Sequence, residues 1–269
     1  MNAEAKPPLN AVCRYVRKAA TELQGLHLLP RKHTRFPFDS VGLSTLSKAF
    51  ALTDACLVLI RADKPYEAYG LSRSVVECAT NLRYLTADPL LQDDRARKFV
   101  KYAKVERSFW FYNAVEQFKG RKEEKEIRDY AQLEGIVADP KSARRHWSGQ
   151  PGSFVWEVAI MDHPLDEATV SPAHRKAAYA VDYFGTSMYV HCSVRAIDDY
   201  FAKPGKPFQV LRASVPSKDI NAINSVLFVV VRYLQESIEY TMFGMNTTCP
   251  DTIREAAERA KYVITGAGA

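Results

Sequence analysis

The stretch GLSRSVVECATNLRYL, residues 70–85, sets an arginine, a glutamate, an asparagine and a tyrosine at 73, 77, 81 and 84. At about 100° per residue these positions fall within roughly 80° of one another on a helix, with Gly70 on the same side. A guanidinium one turn from a carboxylate has two uses. On an exposed helix the pair simply neutralises itself, worth about 0.2–0.5 kcal/mol. On a covered helix both charges are desolvated and need partners, and the guanidinium can hold a phosphate or a developing negative charge while the carboxylate orients it or takes a proton. The other face, Leu71, Val75, Cys78, Leu82 and Leu85, is an apolar core stripe. Gly70, Ser74, Ala79 and Thr80 are small enough to admit neighbours on further sides. Spacing alone leaves both uses open.

A matching stripe lies in YAVDYFGTSMYVHCSVRAIDDYF, where Tyr183, Ser187 and His191 stand at i, i+4 and i+8, and Asp198 lies two turns further on. Phe184, Met188 and Cys192 take the other side, and Gly185 permits a close helix contact. An imidazole titrates near neutrality, so His191 can serve as acid or base; it can equally be a core histidine held by a hydroxyl. Nothing around Ser187 reads as a strained nucleophile turn with an oxyanion hole, which argues against a serine hydrolase. The candidate catalytic set is therefore Arg73, Glu77 and His191, with Asn81, Tyr84, Tyr183 and Ser187 binding or orienting.

A third constellation is DDRARKFVKYAKVERSFWF. Arg95, Phe99, Tyr102, Glu106 and Trp110 share a face, and six Lys/Arg stand against one Glu between Arg95 and Arg107. With the basic loop at 31–35 and KSARRHW at 141–147, which brings Trp147, this suits phosphate contacts and base stacking; a solvated charged face is the plainer alternative. Arg95, Tyr102 and Trp147 join the candidate ligand contacts. His163 and Glu167 have i, i+4 spacing, but HPLDE contains proline and predicts a turn. No metal site is expected, and without a glycine-rich phosphate loop no cofactor is expected either.

These stripes must be carried by helices, and periodicity predicts helix nearly throughout. The expected elements run over 9–28, from a cap at Asp39 or Ser40 to 62, to about 86 before ADP, over 90–118, through the charged segment after Gly120, over a short piece in SFVWEVAIM, over 172–202, from a cap at Ser217 to 244, and from Pro250 onward. VLFVVV, 226–231, is β-branched enough for a buried strand, but INAIN before it and RYLQESIEYTMF after it keep helical spacing. The fold class predicted is all-α, one bundle of roughly eight to nine helices. One domain is expected over 1–269, with a core near 45–200 and the segments 1–38 and 203–269 packed on it.

The 269 residues are 47% hydrophobic, enough for a substantial core, and the net charge of +6 is compatible with an anionic partner. Five cysteines, at 13, 56, 78, 192 and 249, show no C-x-x-C spacing and read as reduced thiols. With no apolar leader and no apolar run of the length a bilayer requires, the expectation is a cytoplasmic protein without a membrane partner.

The segments LSRSVVECATNLRYL, RARKFVKY, HWSGQPGSFVWEVA and YFGTSMYVH, in that order, resemble a bacterial and archaeal all-helical family of unknown function. The resemblance covers roughly 45–200 and places the family pattern on Arg73, Ser74, Glu77, Tyr102, Trp147, Tyr183, Ser187 and His191. More distantly the chain is similar to HEPN helical bundles, many of them ribonucleases of defence systems, whose signature is R-x4-6-H on a late helix. None of the six histidines here has an arginine at that distance, so Arg73 would supply the cation from another helix. The expected function is binding of RNA or another phosphate-bearing ligand at an Arg/Glu/His site, with or without its cleavage, in defence or stress. The alternative is a non-catalytic module for a protein partner in which that network is a buried structural lock.

Overall fold

The structure is a computed structural model that describes residues 5–28, 30–31, 36–133, 158, 161–166, 170–190 and 219–266; the side chains at 102–110, 184 and 188–190 lie outside the description. Among the described residues there is no strand, and the chain is an all-α bundle. Its helices are α1 Lys6–Gly25, α2 Pro37–Arg61, α3 Pro65–Thr86, α4 Gln92–Gln117, α5 Lys122–Leu133, α6 Pro172–Val190, α7 Ile220–Gly244 and α8 Asp251–Thr265.

Prolines open the first three helices, where a missing N–H costs nothing and the fixed φ suits the first turn. Phe36, with no side-chain cap bond, precedes α2, so Asp39 is not its cap. Asp39 lies inside the first turn, fully buried, and holds the preceding loop. Arg31 donates to it through Nε at 2.8 Å, Nη2 at 2.8 Å and its backbone N at 2.9 Å. Burial works against the Asp39 charge, but these bonds outweigh it and keep the carboxyl below its usual range. Asp63, at φ 58, turns the chain between α2 and α3, a conformation Asp tolerates better than most residues.

The cap of α7 is Asp219, not Ser217: its carboxylate accepts from the backbone N–H of Asn221 and Ala222 at 2.9 and 3.2 Å. Pro250 stands one place before α8, as its cap residue, rather than inside the first turn. VLFVVV is helical, and no residue of α7 from Val226 to Gly244 is exposed, so the β-branched run is buried within a helix rather than in a strand.

Two helices form the centre. α3 packs against α2, α6 and α7, and none of its residues from Pro65 to Thr86 is exposed. α7 lies along α3 and also meets α2 and α8; α1 pairs with α8, and α4 carries α5. At the end of α7 a Cβ on Gly244 would meet Phe38 Cζ at 2.5 Å and Thr86 Cγ2 at 2.8 Å, so glycine there lets three helices cross. α2 is long and apolar enough, by length and composition, to cross a membrane; here its buried side meets α3 and α7 as a core helix does.

Candidate functional site

The stripe on α3 is not the wet side of a surface helix. Arg73 Nε donates to Glu77 Oε1 at 3.0 Å, and Arg73 Nη2 donates to the Tyr183 hydroxyl of α6 at 2.6 Å, with the guanidinium 4.7 Å from that ring's centroid. The Arg73 side chain is 18% exposed and Glu77 42%. Covering is therefore asymmetric: the guanidinium is enclosed between two helices while the carboxylate keeps its access to water. One turn beyond Tyr183, the Ser187 Oγ is buried and has no hydrogen-bond partner among the described residues. Gly185 makes this approach possible, since a Cβ there would run into the Tyr69 hydroxyl of α3.

Asn81 and Tyr84 continue the stripe, both partly buried. Eleven residues separate Tyr84 from Arg73, roughly 16 Å along the axis. Arg95 of α4 stacks on the Tyr84 ring at 4.6 Å and donates Nη1 to the Tyr84 carbonyl at 2.7 Å, so this cation closes the last turn of α3. The structure thus joins Arg73, Glu77 and Tyr183 at one locus and Tyr84 and Arg95 at another. Tyr102 is within α4 but its side chain lies outside the description, and Trp147 and His191 lie outside the described residues.

Sequence reasoning overlooked Arg83. It is 2% exposed, and all five of its N–H groups have acceptors. Nε donates to Val158 O at 3.0 Å. Nη1 donates to Asp166 Oδ1 at 2.7 Å and to the Tyr240 hydroxyl at 2.9 Å. Nη2 donates to Met161 O at 2.6 Å and to Asp166 Oδ2 at 2.8 Å. Burial opposes this charge, yet Asp166 and Tyr240 hold the guanidinium's pKa above its ordinary value. Arg175 adds a second cation 3.3 Å from Asp166 Oδ2. The legible signal was its face: Ser72, Val76, Ala79, Thr80 and Thr86 surround it on α3 with small side chains, all buried, which is no setting for a solvated arginine.

Beside it, His163 lies in the turn its proline predicts, with its ring edge-on to Tyr240 at 4.7 Å. Its Nδ1 accepts from the Leu165 N–H at 3.1 Å, so the proton is on Nε2, 3.0 Å from Thr86 Oγ1, whose own proton goes to the Leu82 carbonyl at 2.8 Å. Burial, with the Arg83 charge second, pushes this imidazole down to about 4. Glu167 lies outside the described residues; among the described residues no three His, Cys, Asp or Glu stand together as metal ligands.

A further cluster pins α6 to α7. Tyr179 donates to Glu236 at 2.6 Å, Tyr233 donates to Asp182 at 2.8 Å, and Arg232 lies 3.2 Å from both carboxylates. Burial raises the Asp182 carboxyl above its usual range, against the pull of Arg232 and Tyr233.

Residues 39–207 match the model of a family of unknown function, DUF5677. No curated protein and no solved structure matches the chain. The match takes in α2 to α6; α1, α7 and α8 lie beyond it, although α7 supplies Tyr240 and Arg232 to the clusters above.

Proposed function

We propose, for a chain that belongs to the DUF5677 family of unknown function, that the α3–α6 stripe binds a phosphate-bearing ligand, RNA foremost, and cleaves it. Arg73 takes the phosphate, Glu77 orients Arg73 or acts as base, and His191, on the same sequence stripe as Tyr183 and Ser187, serves as acid or base. Asn81, Tyr84, Arg95, Tyr102 and Trp147 extend the contacts, and the setting is cytoplasmic defence or stress.

The observation that carries this reading is a difference between three arginine–carboxylate clusters. Asp166, Asp182 and Glu236, the carboxylates of the other two, are 14–20% exposed, whereas Glu77 is 42% exposed. A cluster whose carboxylates are covered holds helices together. One that is enclosed at the cation and open at the carboxylate lets a ligand reach the pair from solvent. The buried Ser187 hydroxyl nearby, without a hydrogen-bond partner among the described residues, is a further polar group such a ligand could satisfy.

The rival reading, a non-catalytic module for a protein partner, is favoured by the 2.6 Å bond from Arg73 to Tyr183, which ties two helices as a lock would. One experiment separates them. Binding and cleavage of labelled single-stranded RNA are followed for the native chain and for Arg73→Ala, Glu77→Gln and His191→Ala, with thermal melting alongside. A ligand site predicts affinity down at least about tenfold for Arg73→Ala with a shallower salt dependence, lost turnover for the other two, and melting within about 2 °C of the native chain. A lock predicts unaltered RNA binding and melting lowered by more than about 5 °C.

A further inference from the structure

A groove of about 590 Å³ runs between α1 and α8, two helices that lie on either side of the family match. Lys18, late in α1, and Thr252, at the start of α8, line the same groove as Ala11, early in α1, and Val263, late in α8, and the two helices pair as antiparallel neighbours. The floor is made of small side chains, Ala11, Ala256 and Ala260, together with Tyr15, which is 1% exposed and whose hydroxyl has no hydrogen-bond partner among the described residues. The rim is cationic: Arg14 and Lys18 on α1 and Arg259 on α8 are exposed, against the single carboxylate of Glu255. Lys18 pairs with Glu22 at 2.9 Å and Arg259 with Glu255 at 3.0 Å, but these exposed pairs contribute little and exchange readily for a partner's groups.

We infer that this groove receives an acidic amphipathic helix of a partner protein. Three features select that occupant. Arg14 and Lys18 are one helical turn apart, a spacing of about 6 Å that carboxylates at i and i+4 of an incoming helix reproduce. Alanines on the floor let another helix axis approach to about 8 Å. From Thr252 to Val263 the groove is roughly 18 Å long, the length of a three-turn helix. A second copy of this chain is a poor occupant, because a chain of net charge +6 would set like cations against each other. Single-stranded nucleic acid is held by phosphate contacts together with aromatic stacking, and no exposed aromatic lines the groove.

The test uses the full chain and three labelled probes of about 14 units, long enough for the groove. The first is a peptide with an Ala/Leu stripe flanked by glutamates at i, i+4; the second is the same peptide with lysines for the glutamates; the third is a single-stranded RNA. Fluorescence anisotropy is read for the native chain, for Arg14→Glu with Arg259→Glu, and for Ala256→Leu, which fills the floor without altering charge. The acidic peptide is expected to bind the native chain, to weaken at least about tenfold with either variant, and to weaken again when salt is raised fourfold. The lysine peptide is expected not to bind. Arg73→Ala should leave this binding intact, which separates the groove from the α3–α6 reading. The inference is overturned if the acidic peptide does not bind, if both peptides bind alike, if binding survives both variants, or if RNA binds more tightly through the same cations. Should charge reversal unfold the chain, Ala256→Leu and the single Arg14→Ala decide.

Discussion

Arg73 and Arg83 stand ten residues apart on one helix and sit in different surroundings. Arg73 donates to a half-exposed carboxylate and to a phenol, while Arg83 gives all five of its N–H groups to buried or part-buried acceptors from Val158, Met161, Asp166 and Tyr240. Removing a guanidinium of the second kind leaves two backbone carbonyls without their donor and takes two bonds from a largely buried carboxylate, which among the described residues keeps only Arg175 and the His163 N–H. Arg83→Met should therefore lower unfolding free energy by about 3–5 kcal/mol in urea titrations, the range for breaking one side of a buried ion pair. Arg83→Lys should recover only part of this, since an ammonium offers three donors without the planar fork. Once Asp166 has been replaced by asparagine, Arg83→Met should cost markedly less. Additive effects in that double-mutant cycle would show that the two side chains are not coupled and that the buried fork is not the lock described.

At the scale of helices, α6 is docked largely through polar pins: Tyr179 to Glu236, Asp182 to Arg232 and Tyr233, Tyr183 to Arg73, with Gly185 closed on Tyr69. The crossing at Gly244 is apolar and tighter. Gly244→Ala should destabilise by about 1–3 kcal/mol despite alanine's better helix propensity, because Phe38 and Thr86 occupy the space a methyl needs. Trimming Phe38 to leucine should return part of that loss. A neutral Gly244→Ala would mean that the crossing has slack. Periodicity revealed most of these helices, VLFVVV included, because a repeat of 3.6 survives whatever packs against it. It fixed faces but not partners. Asp39 and Ser217 looked like caps because short polar side chains before an apolar run usually are; a guanidinium from the loop claimed Asp39, and Asp219, two residues nearer the helix, capped α7. The joining of Arg73 and Glu77 was legible from i, i+4 spacing. That Tyr183, a hundred and ten residues on, would complete the locus was a guess about packing that spacing alone could not secure. Arg83 was missed because a list of charged stripes passes over a lone charge set among small residues.

For the molecule as a whole, the buried titratable groups set the response to acid, and they do not all push one way. His163 is neutral in the fold, with Nδ1 already accepting from an N–H, so a proton there would set donor against donor beside the Arg83 charge. Its native value is about 4 against about 6.5 in the unfolded chain, so between those limits the unfolded state binds more protons and stability falls as pH drops. The shift corresponds to about 3 kcal/mol lost from pH 7 to pH 4. Asp182 acts with the opposite sign: its carboxyl is raised, the fold binds the proton first, and its contribution declines as pH rises through that raised value. Asp39 and Asp166, both lowered, add losses only below the ordinary carboxylate range. The imidazole should therefore dominate above pH 4.5. Urea unfolding at pH 7, 6, 5 and 4.5 should show a steady decline in the native chain. His163→Gln, whose amide can still donate to Thr86, should begin lower at pH 7 and run nearly flat over the same interval. An equal slope in both proteins would move the acid sensitivity away from His163 and remove the neutral, doubly bonded imidazole from the account of this fold.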